Sequence, residues 1–579
     1  MDLIAFRHTA AHLLAAAVKN IYPNTRLGVS HDNGQEYAYD FDFVTPIKTE
    51  DLPKLEAEML RILKLKPTMT MTEKTHAEAR KILSAGKEIY KTELLSEISN
   101  KEKITFYKLD NFNDMCAGPH IEEVAKIKAI KLTKITGAYW RADAKNKMLT
   151  RIYGVAFEKQ SQLDEYNQQQ EEIKKRDHNK IGRELEIFTT VDVIGQGLPL
   201  LMPNGAKIVQ ILQRFVEDEE ARRGYLLTRT PLFAKKDLYQ ISGHWQHYKD
   251  GMFVMGNEVL DEEVFALRPM TCPFQFYIYK NSIKSYRDLP CRYNETATLF
   301  RNENSGEMHG LIRMRQFTIS EGHIVCRKDQ VHQCFDEVLD LVHYCMRTLG
   351  IDGDVTYRLS KGDPNNREKY IDNPTAWKNS EEIIRRVLKD QKMKFTEADD
   401  EAAYYGPKID VQFRNVHGKE DTIITIQLDF ALASRFDMSY IDEAGNKATP
   451  FVIHRTSIGC YERTLAMLIE KYAGALPVWL MPTQAVIMGI TDAHLEYVHK
   501  TFEKIFDAGV RIQKDTRNEK VGYKIREHTM KKTPYLLVCG DKEIAAGTVA
   551  VRTREGQDLG TVTVDKFIEM VKSDVHSHR

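Results

Sequence analysis

The rhythm of polar and apolar positions changes several times along this chain, and each change marks an element. The first residues are rich in Ala and Leu in a helical pattern that carries His8 and His12 four positions apart, so both lie on one face. Strand-like runs follow at 35–43 and 127–132, mixed with helices in a first unit of residues 1–160. Over 161–180 the composition turns to Gln, Glu, Lys and Arg, with few apolar residues and no Gly or Pro, which predicts a solvated connecting helix. A third unit, 181–477, opens on a helix whose apolar stripe (Ile208, Leu212, Phe215) runs to Gly224, followed by a strand closing at Pro231. Beyond Pro477 and Pro482 the pattern alternates. Strands at 485–490, 510–513, 535–538 and 548–551, with helices reaching Phe502 and Lys532 between them, predict a compact α/β domain over 478–579.

Composition changes this picture little. At 579 residues there is material for about three or four domains. The 83 basic and 83 acidic side chains cancel, so any contact with nucleic acid must come from local patches. Eight scattered cysteines make no disulfide framework and fit a reducing compartment, so a cytoplasmic protein is expected. Arg7, His8 and His12 interrupt the N-terminal apolar run, which is wrong for a signal peptide. The longest apolar stretch, 476–490, is broken by Pro477 and Pro482, and no membrane span is expected. No internal repeat or low-complexity tract is present.

The densest chemistry lies in Phe300-Arg301-Asn302-Glu303, in Arg313-Met314-Arg315-Gln316-Phe317 after a polar loop, and in Gly459-Cys460-Tyr461-Glu462-Arg463 further on. Arginine offers a planar, permanently charged fork for phosphate oxygens and a face for a base. Neither glycine-based phosphate cradle, GxxxxGK[ST] or GxGxxG after a strand, occurs, so a nucleotide would be held by side chains. Either segment alone is as readily a surface hairpin. Together they resemble motifs 2 and 3 of the class II aminoacyl-tRNA synthetases, and the helix–strand–Pro231 order resembles motif 1, which builds the family's dimer interface.

Within that class the layout is similar to the threonyl-tRNA synthetases, in which a Cys and two His hold an active-site zinc. Cys272 (Met270-Thr271-Cys272-Pro273), His323 (Glu321-Gly322-His323-Ile324) and His454 (Ile453-His454-Arg455) stand at the matching places. Three ligands leave a coordination position open, as catalytic zinc requires. Valine is isosteric with threonine, and an apolar pocket separates the pair poorly. A metal that takes both the amino group and the hydroxyl rejects valine, but it accepts serine. The resemblance therefore predicts proofreading.

His8 and His12, with Cys116 and His120 in Asp114-Met115-Cys116-Ala117-Gly118-Pro119-His120, resemble the editing domain shared by threonyl and alanyl enzymes; Lys91 and Asp114 match further editing positions. The spacing admits a four-ligand zinc site and a metal-free hydrolytic pocket alike. The resemblance also implies a role for His244 (Gly243-His244-Trp245) near the terminal ribose of tRNA. It implies ATP contacts at Arg301, Glu303, Arg313, Phe317, Gln427 and Arg463, amino-acid contacts at Tyr405, Lys408, Glu321 and Cys460, and anticodon contacts at Asn518, Glu543 and Arg552. Lys514, Arg517, Lys520, Lys524, Arg526, Lys531 and Lys532 are expected to form a basic surface beside the last group.

The implied fold is α+β and multidomain. An antiparallel-sheet catalytic core (181–477) stands between an editing domain (1–160) with its linker helix (161–180) and an α/β anticodon-binding domain (478–579). The implied activity is threonine–tRNA ligation with hydrolysis of seryl-tRNA(Thr). One Zn²⁺ per chain, Mg²⁺ with ATP, L-threonine, tRNA(Thr) and a second copy in a homodimer are the expected partners. Glu321 stands where the family usually has Asp, and Cys460 where Ser is usual. No counterpart of the ubiquitin-like domain that often precedes the editing domain is present. Two rivals are a catalytically dead paralogue kept for RNA binding and a class II ligase for serine, alanine or proline; the editing domain placed before the core disfavours the second.

Overall fold

The computed structural model describes residues 2–143, 145–363, 365–416, 418 and 420–578. The chain divides into two compact units, the first ending at Glu172 and the second beginning at Ile173.

In the first unit Asp2 caps the helix Leu3–Ile21, its carboxylate accepting from the backbone N–H of Ile4 and Ala5. Small side chains such as Ala10, Ala11 and Ala15 let that helix bury on most of its circumference. It packs on an antiparallel sheet ordered Arg26–Asp32, Tyr37–Asp42, Met148–Phe157, Ala129–Tyr139. The runs expected at 35–43 and 127–132 are the second and fourth of these strands, the fourth reaching further than expected. A second antiparallel sheet joins Met69–Lys74, Ile104–Leu109 and Phe112–Met115, and carries Asp114. The helix Ile89–Glu97 presents Lys91.

The single helix expected over 161–180 is in fact two. Gln160–Arg176 stops where Asp177 turns out of helical geometry and caps His178–Glu184 through the N–H groups of Asn179 and Lys180. His178 is buried with Nδ1 2.7 Å from Glu470 Oε1, so this end is anchored rather than solvated.

The second unit is built on an eight-stranded sheet. Its order is Leu226–Leu227, Cys291–Phe300, Gln316–Cys326, Phe451–Cys460, Glu420–Asp429, Lys408–Arg414, Val355–Ser360, Phe395–Ala398. All pairings are antiparallel except the outermost at each end. The strand expected to close at Pro231 covers only Leu226–Leu227: the N–H of Thr228 still donates to Asn294 O, but the N–H and hydroxyl of Thr230 turn onto the Glu295 carboxylate. Alternation fixes the faces. Ile324, Cys326 and Ile453 join the large core under the helices Pro203–Arg222, Val331–Leu349 and Tyr461–Tyr472, whereas Tyr293, Val325 and Val452 join a smaller core containing Cys272. His323 and His454 share parity with the second set and stand directly opposite one another in register.

The C-terminal part orders Ile512–Asp515, Ala485–Gly489, Tyr535–Cys539, Thr548–Thr553 and Asp558–Thr563 into a five-stranded sheet, the first three parallel. The last strand and the helix Val564–His576 were not expected. Asp558–Thr563 is a largely exposed edge with Gly560 at φ +76°, and shows no apolar alternation to read. No helix among the described residues is long and apolar enough to cross a membrane.

Candidate functional site

A cavity of about 370 Å³ lies on the sheet face bearing His323 and His454. Arg301, Glu303, Arg313, Phe317, Glu321, Tyr405, Gln427, His454, Cys460, Arg463, His244 and Cys272 all line it. Lys408 does not. It stands opposite Gln427 in register, but its ammonium is 3.1 Å from Asp410 Oδ2.

At one end, the backbone N–H of Arg301 donates to Arg315 O at 2.8 Å, which ties the two arms of the hairpin. The Arg301 guanidinium carbon is 5.1 Å from the Phe317 ring centroid, and its Nε is buried without a protein partner. A buried guanidinium N–H left unmade is costly, and a phosphate oxygen is the acceptor it suits. Arg463 donates through Nε to Ile312 O at 3.0 Å and through Nη1 to Thr422 O at 2.8 Å, so backbone orients it, and no carboxylate among the described residues pairs with it. Glu303 Oε2 meets Arg313 Nε at 2.9 Å and Nη2 at 2.8 Å.

At the other end, one nitrogen or sulfur from each of Cys272, His323 and His454 lies within 4.8 Å of the others. Cys272 opens the helix Cys272–Lys280, and the helix brings Gln275 round to His323, whose Nδ1 is 2.6 Å from Gln275 Oε1. An amide oxygen only accepts, so Nδ1 carries the proton and Nε2, buried and unpartnered, keeps its lone pair. His454 Nε2 is 2.9 Å from Asp429 Oδ2, and Asp429 Oδ1 is held by the N–H groups of Ala431 and Leu432 at 2.8 Å. Both imidazoles thus have the outer partner that metal-bound histidines have, and the donor set suits zinc. Burial drives the Cys272 thiol well above and the His323 imidazole well below their ordinary values, so His323 is a neutral donor and a Cys272 thiolate would call for a cation beside it.

Around this cluster Tyr405 stacks on His454 at 5.0 Å and hydrogen-bonds Gln427. Glu321 is half-buried, with Oε1 3.7 Å from His323 Nε2 and a buried Oε2 without a partner among the described residues, and desolvation raises its pKa. Cys460 Sγ donates to Glu462 Oε2 at 3.3 Å. His244 follows Gly243, whose φ of +86° ends one short helix and starts the next. Its Nδ1 is 2.8 Å from Ser242 Oγ, and burial lowers its pKa to about 3, which leaves a neutral ring.

In the first unit His8, His12, Cys116 and His120 form a second cluster within 4.8 Å. The His8 and His120 rings stand 4.1 Å apart and those of His12 and His120 4.4 Å apart. Asp114 Oδ2 gathers Tyr39 OH at 2.6 Å, Lys91 Nζ at 3.0 Å and His12 Nε2 at 3.7 Å. Burial pushes His12 well below its ordinary value and His120 to about 2; at His8 the shift is again downward and led by burial.

In the C-terminal part Asn518 follows the strand Ile512–Asp515 and Glu543 follows Tyr535–Cys539, both outside carboxyl ends of parallel strands. Arg552 lies opposite Leu536 with its guanidinium 3.7 Å from Asp558. The basic surface expected here needs correction. Lys524 is only 3 % exposed and donates to Asp515 O, while Arg517 is spent on Asp515 and Glu527, and Lys531 on Glu527. An amine inside a ring of acceptors is as basic in sequence as one in solvent.

Sequence reasoning missed Gln275, although it stands three positions after Cys272 on a helix and so shares its side. It also missed Tyr39 and Ser30, for which an isolated residue on a strand carries no signal.

Three family descriptions match the chain: the tRNA synthetase class II core domain (G, H, P, S and T) over 257–472, the anticodon binding domain over 484–574, and the threonyl and alanyl tRNA synthetase second additional domain over 104–153. The threonine–tRNA ligase of Clostridium botulinum (strain Alaska E43 / Type E3) is 57% identical over 571 residues, covering 99% of this chain and 88% of the relative. That of Oceanobacillus iheyensis is 43% identical over 578 residues, covering 100% and 89%. Among solved structures, the RNA binding domain of a threonyl-tRNA synthetase from Cryptosporidium parvum Iowa II superposes with TM-score 0.65 at 30% identity, covering 69% of this chain and 98% of that one.

Proposed function

The chain belongs to the threonine–tRNA ligase family, and from that premise we propose how its residues divide the work of activating, transferring and proofreading threonine. In activation, ATP and threonine give threonyl-adenylate and pyrophosphate. Arg301 holds the α-phosphate and Arg463 the γ-phosphate, with Phe317 and Arg463 on the two faces of the adenine and Glu303 accepting from its amino group. Arg313 and Gln427 complete the nucleotide contacts, and Mg²⁺ accompanies ATP.

Cys272, His323 and His454 are the residues that would hold Zn²⁺. When bound there it supplies a Lewis-acid position for the threonine amino and hydroxyl groups, which valine cannot fill. Tyr405, Glu321 and Cys460 surround the same substrate, while Lys408, the fourth residue assigned to it, is held on Asp410 away from the cavity wall. In transfer, His244 takes the proton of the terminal ribose hydroxyl at Nε2, since Nδ1 is occupied by Ser242.

The editing reading places hydrolysis of seryl-tRNA(Thr) among His8, His12, Lys91, Asp114, Cys116 and His120. Both ring nitrogens of His8 already have protein partners, which favours a metal-free pocket. Asn518, Glu543 and Arg552 are assigned to the anticodon. Exposed Leu226 and Leu227 on the sheet edge, with exposed Leu232 and Phe233 just after them in the chain, support a homodimer through that edge. A cytoplasmic location and a division at 1–160, 161–180, 181–477 and 478–579 complete the reading.

The observation that carries it is that Cys272 and His454, which line one cavity with Arg301 and Arg463, form a single cluster with His323, the cross-strand partner of His454. ATP–pyrophosphate exchange over the twenty amino acids tests it. Exchange with threonine alone is expected; no exchange indicates a dead paralogue, and exchange with serine, alanine or proline indicates another class II ligase.

A further inference from the structure

A cavity of about 470 Å³ in the first unit is lined by His8, Ser30, Lys91, Cys116 and Gly118. His8 Nδ1 is 3.2 Å from Pro119 O, and His8 Nε2 is 2.9 Å from Ser30 Oγ and 3.2 Å from Cys116 Sγ. A carbonyl oxygen can only accept, so the proton sits on Nδ1 and the lone pair on Nε2. That lone pair receives the Ser30 hydroxyl in a hydrogen bond of ordinary length. A water that His8 was to deprotonate would first have to displace Ser30. The group already placed to give His8 a proton is the Ser30 hydroxyl.

Hydroxyl, imidazole and an acceptor that fixes the imidazole form the arrangement of an activated nucleophile. Lys91 sets a positive charge on the same cavity, held by Asp114 Oδ2 and Met115 O, each at 3.0 Å. Cys116 is the competing nucleophile. Burial raises its pKa and keeps it a thiol, and as a donor it is the weaker claimant on His8.

We propose that Ser30 is the nucleophile of this pocket, cleaving the ester of mischarged tRNA with His8 as its base. The proposal rests on the editing reading above. Ser30 Oγ bonds to the ester carbonyl carbon as its proton passes to His8 Nε2. The bond from that carbon to the ribose oxygen then breaks, and the ribose oxygen takes the proton from His8. Water attacks the acyl-serine carbonyl and gives its proton to Nε2; the bond to Ser30 Oγ breaks, and Oγ recovers the proton. One ester and one water become one carboxylic acid and one alcohol, with no change of oxidation state. Lys91 stabilises the oxyanion of both steps.

The test is single-turnover hydrolysis of seryl-tRNA by the full chain, quenched in acid and examined for a seryl adduct on the peptide containing Ser30. Ser30→Ala is expected to slow hydrolysis about a hundredfold or more, with threonylation unchanged. Ser30→Cys is expected to accumulate a seryl thioester, and it guards against loss through misfolding. Hydrolysis by Ser30→Ala at the wild-type rate overturns the proposal. A slow Ser30→Ala with no adduct in wild type or Ser30→Cys overturns the covalent step. Wild-type rates in His8→Ala as well would mean that the editing reading itself has failed.

Discussion

His323 and Gln275 together decide which imidazole nitrogen faces Cys272 and His454: with Nδ1 2.6 Å from the Gln275 carbonyl oxygen, Nε2 is left bare in the interior. Gln275 is itself fixed, its Nε2 donating to Thr228 Oγ1 at 2.7 Å. Gln275→Ala is therefore expected to weaken zinc binding by about 10- to 100-fold while the fold is retained. Competition with a metal chelator, followed alongside circular dichroism, reads both.

Arg301 carries a buried Nε without a partner, so its removal should cost little stability and much catalysis. Arg301→Ala is expected to lower threonine-dependent ATP–pyrophosphate exchange by about a thousandfold, with zinc content unchanged. Near-normal exchange would withdraw Arg301 from the phosphates.

Much of this site was legible because arginine, glutamate and cysteine announce chemistry by type, and the motifs fix their spacing. What joins them was not. His323 and His454 meet only through the register of two strands far apart in sequence, and no local pattern sets that register. Lys524 misled for the opposite reason: its charge says surface, while a neighbouring strand end supplies the acceptor that lets it be buried. The break at Asp177 was readable as an Asp cap before His178, but a run of helix formers hid it.

Arg455 illustrates a buried charge the sequence could not place. It is fully buried, bonded to Glu220 on the helix Pro203–Arg222, and lies 4.0 Å over the Tyr225 ring. Glu220 also accepts from Ser457 Oγ at 2.6 Å and from Asn294 Nδ2 at 2.5 Å. Glu220→Ala leaves that cation uncompensated and is expected to cost about 3–5 kcal/mol. Glu220→Leu combined with Arg455→Met should recover much of it, as urea unfolding of the two variants would reveal.

Loss of His8 and His12 together removes the proposed base and its neighbour without touching the cavity proposed for synthesis, whose lining residues all belong to the other unit. Threonylation should persist while seryl-tRNA accumulates when serine is supplied. A double variant that still clears added seryl-tRNA at the wild-type rate would reduce the first unit to a tRNA-binding module.

The pH dependence follows from imidazoles held neutral. His244 titrates at about 3 and His120 at about 2 in the fold, against an ordinary 6.5, burial being the first cause in each case. Below pH 6.5 the unfolded chain binds protons at these positions and the folded chain does not. The stabilisation from neutral burial is thus fully present above 6.5 and is lost progressively as pH falls towards those lower values. Two outcomes are expected between about pH 7.5 and about pH 5, the range in which ordinary histidines titrate. Stability in urea should fall with acid, and less steeply in His120→Gln. The transfer of threonine to tRNA should show no acid limb from His244, because its base form persists throughout. His244→Gln should slow that transfer and leave exchange intact; an acid limb near pH 6.5 that disappears in this variant would show that His244 titrates as an exposed residue and is not the buried neutral base.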